Sequence, residues 1–153
     1  MQLTSKLAEL VRACFTGIWI ESHEHQDAMT EIAQLCRQED WRLAAWDIER
    51  GLHVPGQSAP AAADAGGQDP LAAIRAVNAL ASGDGSAVLI LQNFHRFLQS
   101  PEIIQALIHQ IMAGKQNRTF IVILSPLVQI PTELEKLFLV IEHQLPDREV
   151  GVR

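Results

Sequence analysis

Hydrophobic and polar positions follow two alternating periods along this chain. Leu3, Leu7, Leu10 and Val11 recur at helical spacing, which predicts an amphipathic helix over residues 2–14. TGIWIES at 16–22 is a short β-branched and aromatic run and is expected to be a buried strand. Across 24–38, Ala28, Met29, Ile32, Leu35 and Cys36 share one helical face. A second strand is expected at WRLAAWDIE, 41–49.

Residues 50–68 are rich in Gly, Ala, Pro and Ser and bury too little apolar surface to offset the entropy of ordering. A mobile loop is expected there, over about 52–68. Asp69-Pro70 then supplies a cap and a first-turn proline for a helix over 70–81. SAVLILQNF at 86–94 is a continuous apolar run and the strongest strand in the chain. Ser100-Pro101 opens a helix through about Ala113, and TFIVILSP at 119–126 is the fourth strand. PTELEKL at 131–137 reads as a short helix before a fifth strand, FLVIEHQL, at 138–145. Uninterrupted apolar strands separated by helices predict a parallel sheet covered on both faces. The 153 residues suit one α/β domain, 1–153, without an internal repeat.

Charge narrows the class of partner. A net charge of -6 and a pI near 5.4 argue against a nucleic-acid or anionic-membrane surface. No apolar run approaches the roughly 18 residues needed to cross a bilayer. The amino-terminal segment carries Glu9 and lacks a cleavage pattern, so a cytoplasmic protein is expected. Cys14 and Cys36 have no ligand or disulfide spacing and read as reduced, buried thiols. Trp19, Trp41 and Trp46 fall on the expected strands and read as core.

The tail LVQIPTELEKLFLVIEHQLPDRE, 127–149, resembles the end of an AAA+ ATPase core, with VLILQNFHRFL (88–98) where that superfamily has Walker B and IVILSP (121–126) where it has the sensor 1 strand. More narrowly, IWIES (18–22), DPLAAI (69–74), LQNFHRFL (91–98), LSPLVQIPTELEK (124–136) and LPDRE (145–149) are similar to the amino-terminal module of AAA proteins named after a hypothetical chloroplast reading frame. The resemblance spans nearly the whole chain. It implies a three-layer P-loop-NTPase-like sandwich with a five-stranded parallel sheet in the order 5-1-4-3-2. Arg153 arrives where the helical lid should start, so no lid domain is expected. It also implies a degenerate first module that works beside a complete one.

The nucleotide chemistry itself is expected to be absent. A phosphate loop needs GxxxxGK[ST], because glycines let backbone N–H groups wrap phosphate and the lysine neutralises it. Here the first strand passes through Glu21, Ser22, His23 and Glu24 into its helix with no glycine and no lysine, and no lysine lies between positions 7 and 114. Glu21, Glu24 and Asp27 place carboxylates where the helix dipole already attracts negative charge. At the Walker B positions stand Gln92 and Asn93, neither able to hold magnesium by charge. Ser125 falls at the sensor 1 position, and no arginine precedes the last strand, where only Lys136 stands. ATP and magnesium are therefore not expected as cofactors, and intrinsic hydrolysis is not expected.

Two other clusters carry polar chemistry. His23 and His25 form a His-x-His pair that could ligate zinc or nickel if further ligands converged, although a capped strand-to-helix turn explains the same residues. His95 and Arg96, after the third strand, are candidate partner-facing residues. No nucleophile elbow is present. The expected function is a non-catalytic AAA+-like module acting by protein–protein contact, with an active AAA+ module or with itself. The alternatives are a fragment with residual ATP binding and a small metal-dependent enzyme built on His23 and His25.

Overall fold

A computed structural model of the chain describes residues 2–55, 68–81 and 85–143. Among these residues four helices, α1 (Leu3–Arg12), α2 (His25–Glu39), α3 (Pro70–Leu80) and α4 (Pro101–Asn117), surround strands β1 (Gly17–Glu21), β2 (Arg42–Asp47), β3 (Gly51–His53), β4 (Ala87–Gln92), β5 (Thr119–Ser125) and β6 (Leu139–Glu142). The described residues form one sheet of six strands in the order β3-β2-β4-β5-β1-β6. All neighbours run parallel except β2 and β3, which pair antiparallel.

The sheet therefore differs from the expected five-stranded parallel one in strand count and in full order. The addition is β3, a short return strand within the segment expected to be loop; Asp47 shapes the turn that makes it. Its Oδ1 accepts from the amides of Glu49 (3.0 Å) and Arg50 (2.7 Å), and Gly51 follows with φ 73°, a conformation open to glycine. The parallel strands alone fall in the order β2-β4-β5-β1-β6. Residues 56–67 of the expected mobile loop, and 144–145 of the expected last strand, lie outside the described residues. Two helical expectations also change. The helix expected over 131–137 is a 3-10 turn at Thr132–Leu134, and α4 continues past Ala113 to Asn117.

Strand periodicity divides the core into two halves. Ile18, Ile20, Val88, Ile90, Phe120, Val122 and Leu124 face α1 and α2. The intervening Trp19, Leu89, Leu91, Ile121 and Ile123 face α3 and α4. This is the pleat expressed in three layers. Trp19 and Trp46 are fully buried, as expected, but Trp41 lies before β2 and is only partly buried. Its amide instead closes α2 onto the Cys36 carbonyl at 2.8 Å, after Asp40 turns left-handed.

Capping follows the sequence signals. Asp69 accepts from Leu71 N–H at 3.1 Å and Ser100 from Ile103 N–H at 3.5 Å, each ahead of a first-turn proline. Asn78 and Gln110 exchange amide hydrogen bonds at 3.1 and 3.0 Å, joining α3 to α4. Gly114 packs so tightly on β5 that a Cβ there would overlap the Thr119 carbonyl.

Candidate functional site

The parallel strands deliver their carboxyl ends to one edge. Register sets Glu21 beside Ser125 and beside Glu142. Gln92 pairs with Leu124, and the Asn93 amide donates to the Leu124 carbonyl at 2.8 Å. The fold thus assembles Glu21, Ser22, Gln92, Asn93 and Ser125, which the sequence scatters over more than half its length. In open α/β sheets this edge is where ligands bind.

At its centre the β1–α2 turn is closed by a hydrogen-bonded chain. Ser22 Oγ accepts from the Glu24 amide at 3.0 Å and lies 2.7 Å from His143 Nδ1. His143 Nε2 lies 3.1 Å from Glu31 Oε2, on the next turns of α2. A carboxylate only accepts, so in the tautomer protonated at Nε2 the ring donates Nε2–H to Glu31, and Nδ1 accepts a hydrogen bond from the Ser22 hydroxyl. The His143 side chain is 1% exposed and Ser22 is 2% exposed. The Ser22 amide also donates to the Ser125 carbonyl, and the His143 amide to the Glu21 carbonyl. The chain resembles a Ser-His-Glu set on paper, but its serine oxygen is buried and committed on both sides. It acts as a clasp between β6, β1 and α2.

The other edge residues have definite structural tasks. Ser125 is fully buried; its hydroxyl accepts from Trp19 Nε1 at 2.9 Å and donates to the Leu127 carbonyl. Asn93 turns left-handed at φ 57° and starts a 3-10 turn, Phe94–Phe97, whose Phe94 and Phe97 rings pack on Trp46. That turn leaves Arg96 exposed and His95 partly buried. Two polar atoms lack partners among the described residues: Gln92 Nε2 and His95 Nδ1, both buried. An unsatisfied buried group of this kind costs about 1–3 kcal/mol.

A family model for the SpoVK-like AAA ATPase N-terminal domain matches residues 3–143. The chain belongs to that family. No curated protein matches it. Membership places the domain in the AAA+ superfamily, and the mostly parallel six-stranded sheet is consistent with a P-loop-like α/β fold.

Beside the clasp of this AAA N-terminal domain, on the β3 side of α2, lies a cavity of about 400 Å³. Arg37, Arg50, His25, His53 and Gln92 line it, with Met29 and Pro55 among its apolar walls. Arg50 is anchored by Asp47, whose Oδ2 accepts from its Nε at 2.9 Å. Burial alone would raise the Asp47 carboxyl, but hydrogen bonds from the Arg50 amide and guanidinium outweigh it and hold the group below its usual range. His53 is buried with Nδ1 at 2.9 Å from the Gly51 carbonyl, which makes Nδ1–H the donor.

The histidines nearest the edge are biased toward the neutral form. Burial pushes His25 down; a hydrogen bond to the Ser22 backbone opposes this, while His23 and His95 add to the depression. Burial also lowers His95, helped by neighbouring Arg96. His25 feels both His23 and His95 electrostatically, yet no group of three or more His, Cys, Asp or Glu among the described residues could hold a metal ion. Both cysteines are free, and burial pushes the Cys36 thiol up to about 12. Cys14 is only partly buried, unlike the expectation for it. No helix among the described residues is long and apolar enough to cross a membrane.

Sequence reasoning found the strand-end residues and missed His143, Glu31 and the cavity. Glu31 and His143 are each one polar residue in a helix or strand-end pattern, and their meeting depends on β6 lying beside β1. Part of the cavity was visible: His25, Met29, Ala33 and Arg37 recur at helical spacing along one stripe of α2.

Proposed function

We propose that this domain is a non-catalytic AAA+-like module that works through protein contact, in assembly with an active AAA+ module or with further copies of itself. The observation that carries this reading is the Ser22–His143–Glu31 clasp. It occupies the strand-to-helix turn where a phosphate loop would have to wrap its ligand, and it uses the local hydrogen-bonding groups on each other. Gln92 and Asn93 at the end of β4 offer no carboxylate for magnesium. The narrower likeness to the first, degenerate module of the hypothetical-chloroplast-frame AAA proteins fits this role.

Contact with a partner is supported by the outer strand. β6 is an edge of the sheet, and Leu139 and Val140 on it are 39% and 48% exposed. Edge strands with exposed apolar side chains favour pairing with another chain. A cytoplasmic setting belongs to the same proposal.

Calorimetry with ATP and magnesium is the test. No saturable heat is expected; micromolar binding would overturn the closed-site reading and favour a nucleotide-binding module instead. Light scattering after size exclusion tests the assembly arm, where concentration-dependent association, or association with an added AAA+ module, is expected. A strict monomer that also ignores such a module would sink it.

A further inference from the structure

The cavity between α2 and β3 is a second site, chemically unlike the clasp. Its lining has two guanidiniums and two imidazoles, with no carboxylate from the described residues. The Asp47 carboxylate that partners Arg50 consumes one guanidinium N–H and fixes the group, leaving the remaining donors of the fork. The Arg37 side chain makes no hydrogen bond or ion pair with a described residue, although its backbone carbonyl accepts from the Asp40 amide. Gln92 also lines the cavity, and its buried amide nitrogen has no acceptor among the described residues. Cationic donors converge here without a carboxylate among the lining residues, which is the converse of a metal site.

We propose that this cavity binds a small organic oxyanion, a phosphate monoester or a carboxylate. The charged head lies on Arg37 and Arg50, where planar forks match two oxygens at once. An oxygen of the ligand takes the orphaned Gln92 N–H, and the organic body lies along Met29 and Pro55. A volume of about 400 Å³ suits a metabolite-sized molecule. None of Ser22, His143 and Glu31 lines the cavity, so the inference stands independently of whether the clasp excludes nucleotide.

Amide nuclear magnetic resonance on the isotope-labelled full chain tests it, titrating inorganic pyrophosphate and, separately, citrate at constant ionic strength. Saturable shifts at Arg37, Arg50, His53 and the Gln92 side-chain amide are expected. The tighter of the two probes distinguishes a phosphoryl from a carboxylate ligand. R37Q and R50Q should each weaken binding roughly tenfold, the loss of one charge-assisted contact. R75Q, exposed on α3, should leave it unchanged. R37K keeps the charge but loses the fork, and should weaken binding as well; it serves if R37Q disturbs the spectrum. Absence of saturable shifts, shifts scattered over surface cations, or binding indifferent to both R37Q and R50Q would overturn the proposal. The same variants separate the two sites for ATP: shifts abolished by R37Q put ATP in this cavity, whereas shifts that persist put it at the clasp.

Discussion

The clasp and the cavity share helix α2 and lie at one end of one sheet, yet they solve opposite problems. At the clasp, donors and acceptors come in matched sets: Glu24 N–H, Ser22 hydroxyl, the His143 ring and the Glu31 carboxylate satisfy one another, with the serine and the ring buried. At the cavity, two guanidiniums and a buried, unpartnered amide nitrogen border about 400 Å³ of space with no carboxylate in the lining. A satisfied polar network rigidifies what it joins, while an unsatisfied one costs stability until something completes it. The comparison therefore assigns stability to one region and ligand chemistry to the other.

Removing the centre of the clasp should have the largest effect. H143A leaves Ser22 and Glu31 without their partner and opens a hole under β6, and a loss of about 2–3 kcal/mol is expected in urea unfolding. A loss below about 0.5 kcal/mol, within the range of ordinary surface changes, would show that the clasp is incidental.

Gln92 should respond in the other direction. Q92L removes an amide whose nitrogen is buried without a described acceptor and keeps the apolar stem. A gain of up to about 1 kcal/mol is expected, together with loss of oxyanion affinity. Marked destabilisation would mean that the amide is satisfied in solution, and the contrast between the regions would weaken.

R37Q should change stability by no more than about 0.5 kcal/mol, because the residue is exposed and makes no ion pair with a described residue. Unfolding midpoints of R37Q and H143A, measured side by side, give the comparison directly.

Acidification should bring the smallest change. His25 and His95 are both depressed in the folded chain, so the unfolded chain binds more protons as pH falls below 6.5. Their contribution is fully present above that value and is lost as pH drops through the folded values. His23 and His95 add to the depression of His25, and Arg37 and Arg50 line the same cavity as that ring. Partial exposure of both rings keeps the effect modest. H25N should flatten the stability profile between pH 7 and 5 relative to the parent; an unchanged slope would remove His25 as its source.

Much of the architecture was legible in the residues. The apolar runs of β4 and β5 and the Asp69-Pro70 and Ser100-Pro101 starts specify elements through local periodicity and capping. β3 was not legible, because Gly51, Leu52 and His53 form a run too short for a period-two signal, and pairing with β2 decides them. The 3-10 turn at Thr132–Leu134 was read as a helix for a related reason: the Glu and Leu residues there have helical propensity, but Pro131 and the nearby entry into β6 leave room for little more than one turn.

The site divides along the same line. Sequence by itself determined that the β1–α2 turn has neither glycine nor lysine and that Gln92 and Asn93 stand at the end of an apolar strand, since those are matters of residue identity at local spacing. Tertiary structure alone decided that His143 reaches Ser22 across 121 positions and that Glu31 meets the same ring. It also decided that Arg37 and Arg50 line one cavity. Those contacts depend on strand order and on a return strand, and such long-range placement leaves no period in the sequence to be read.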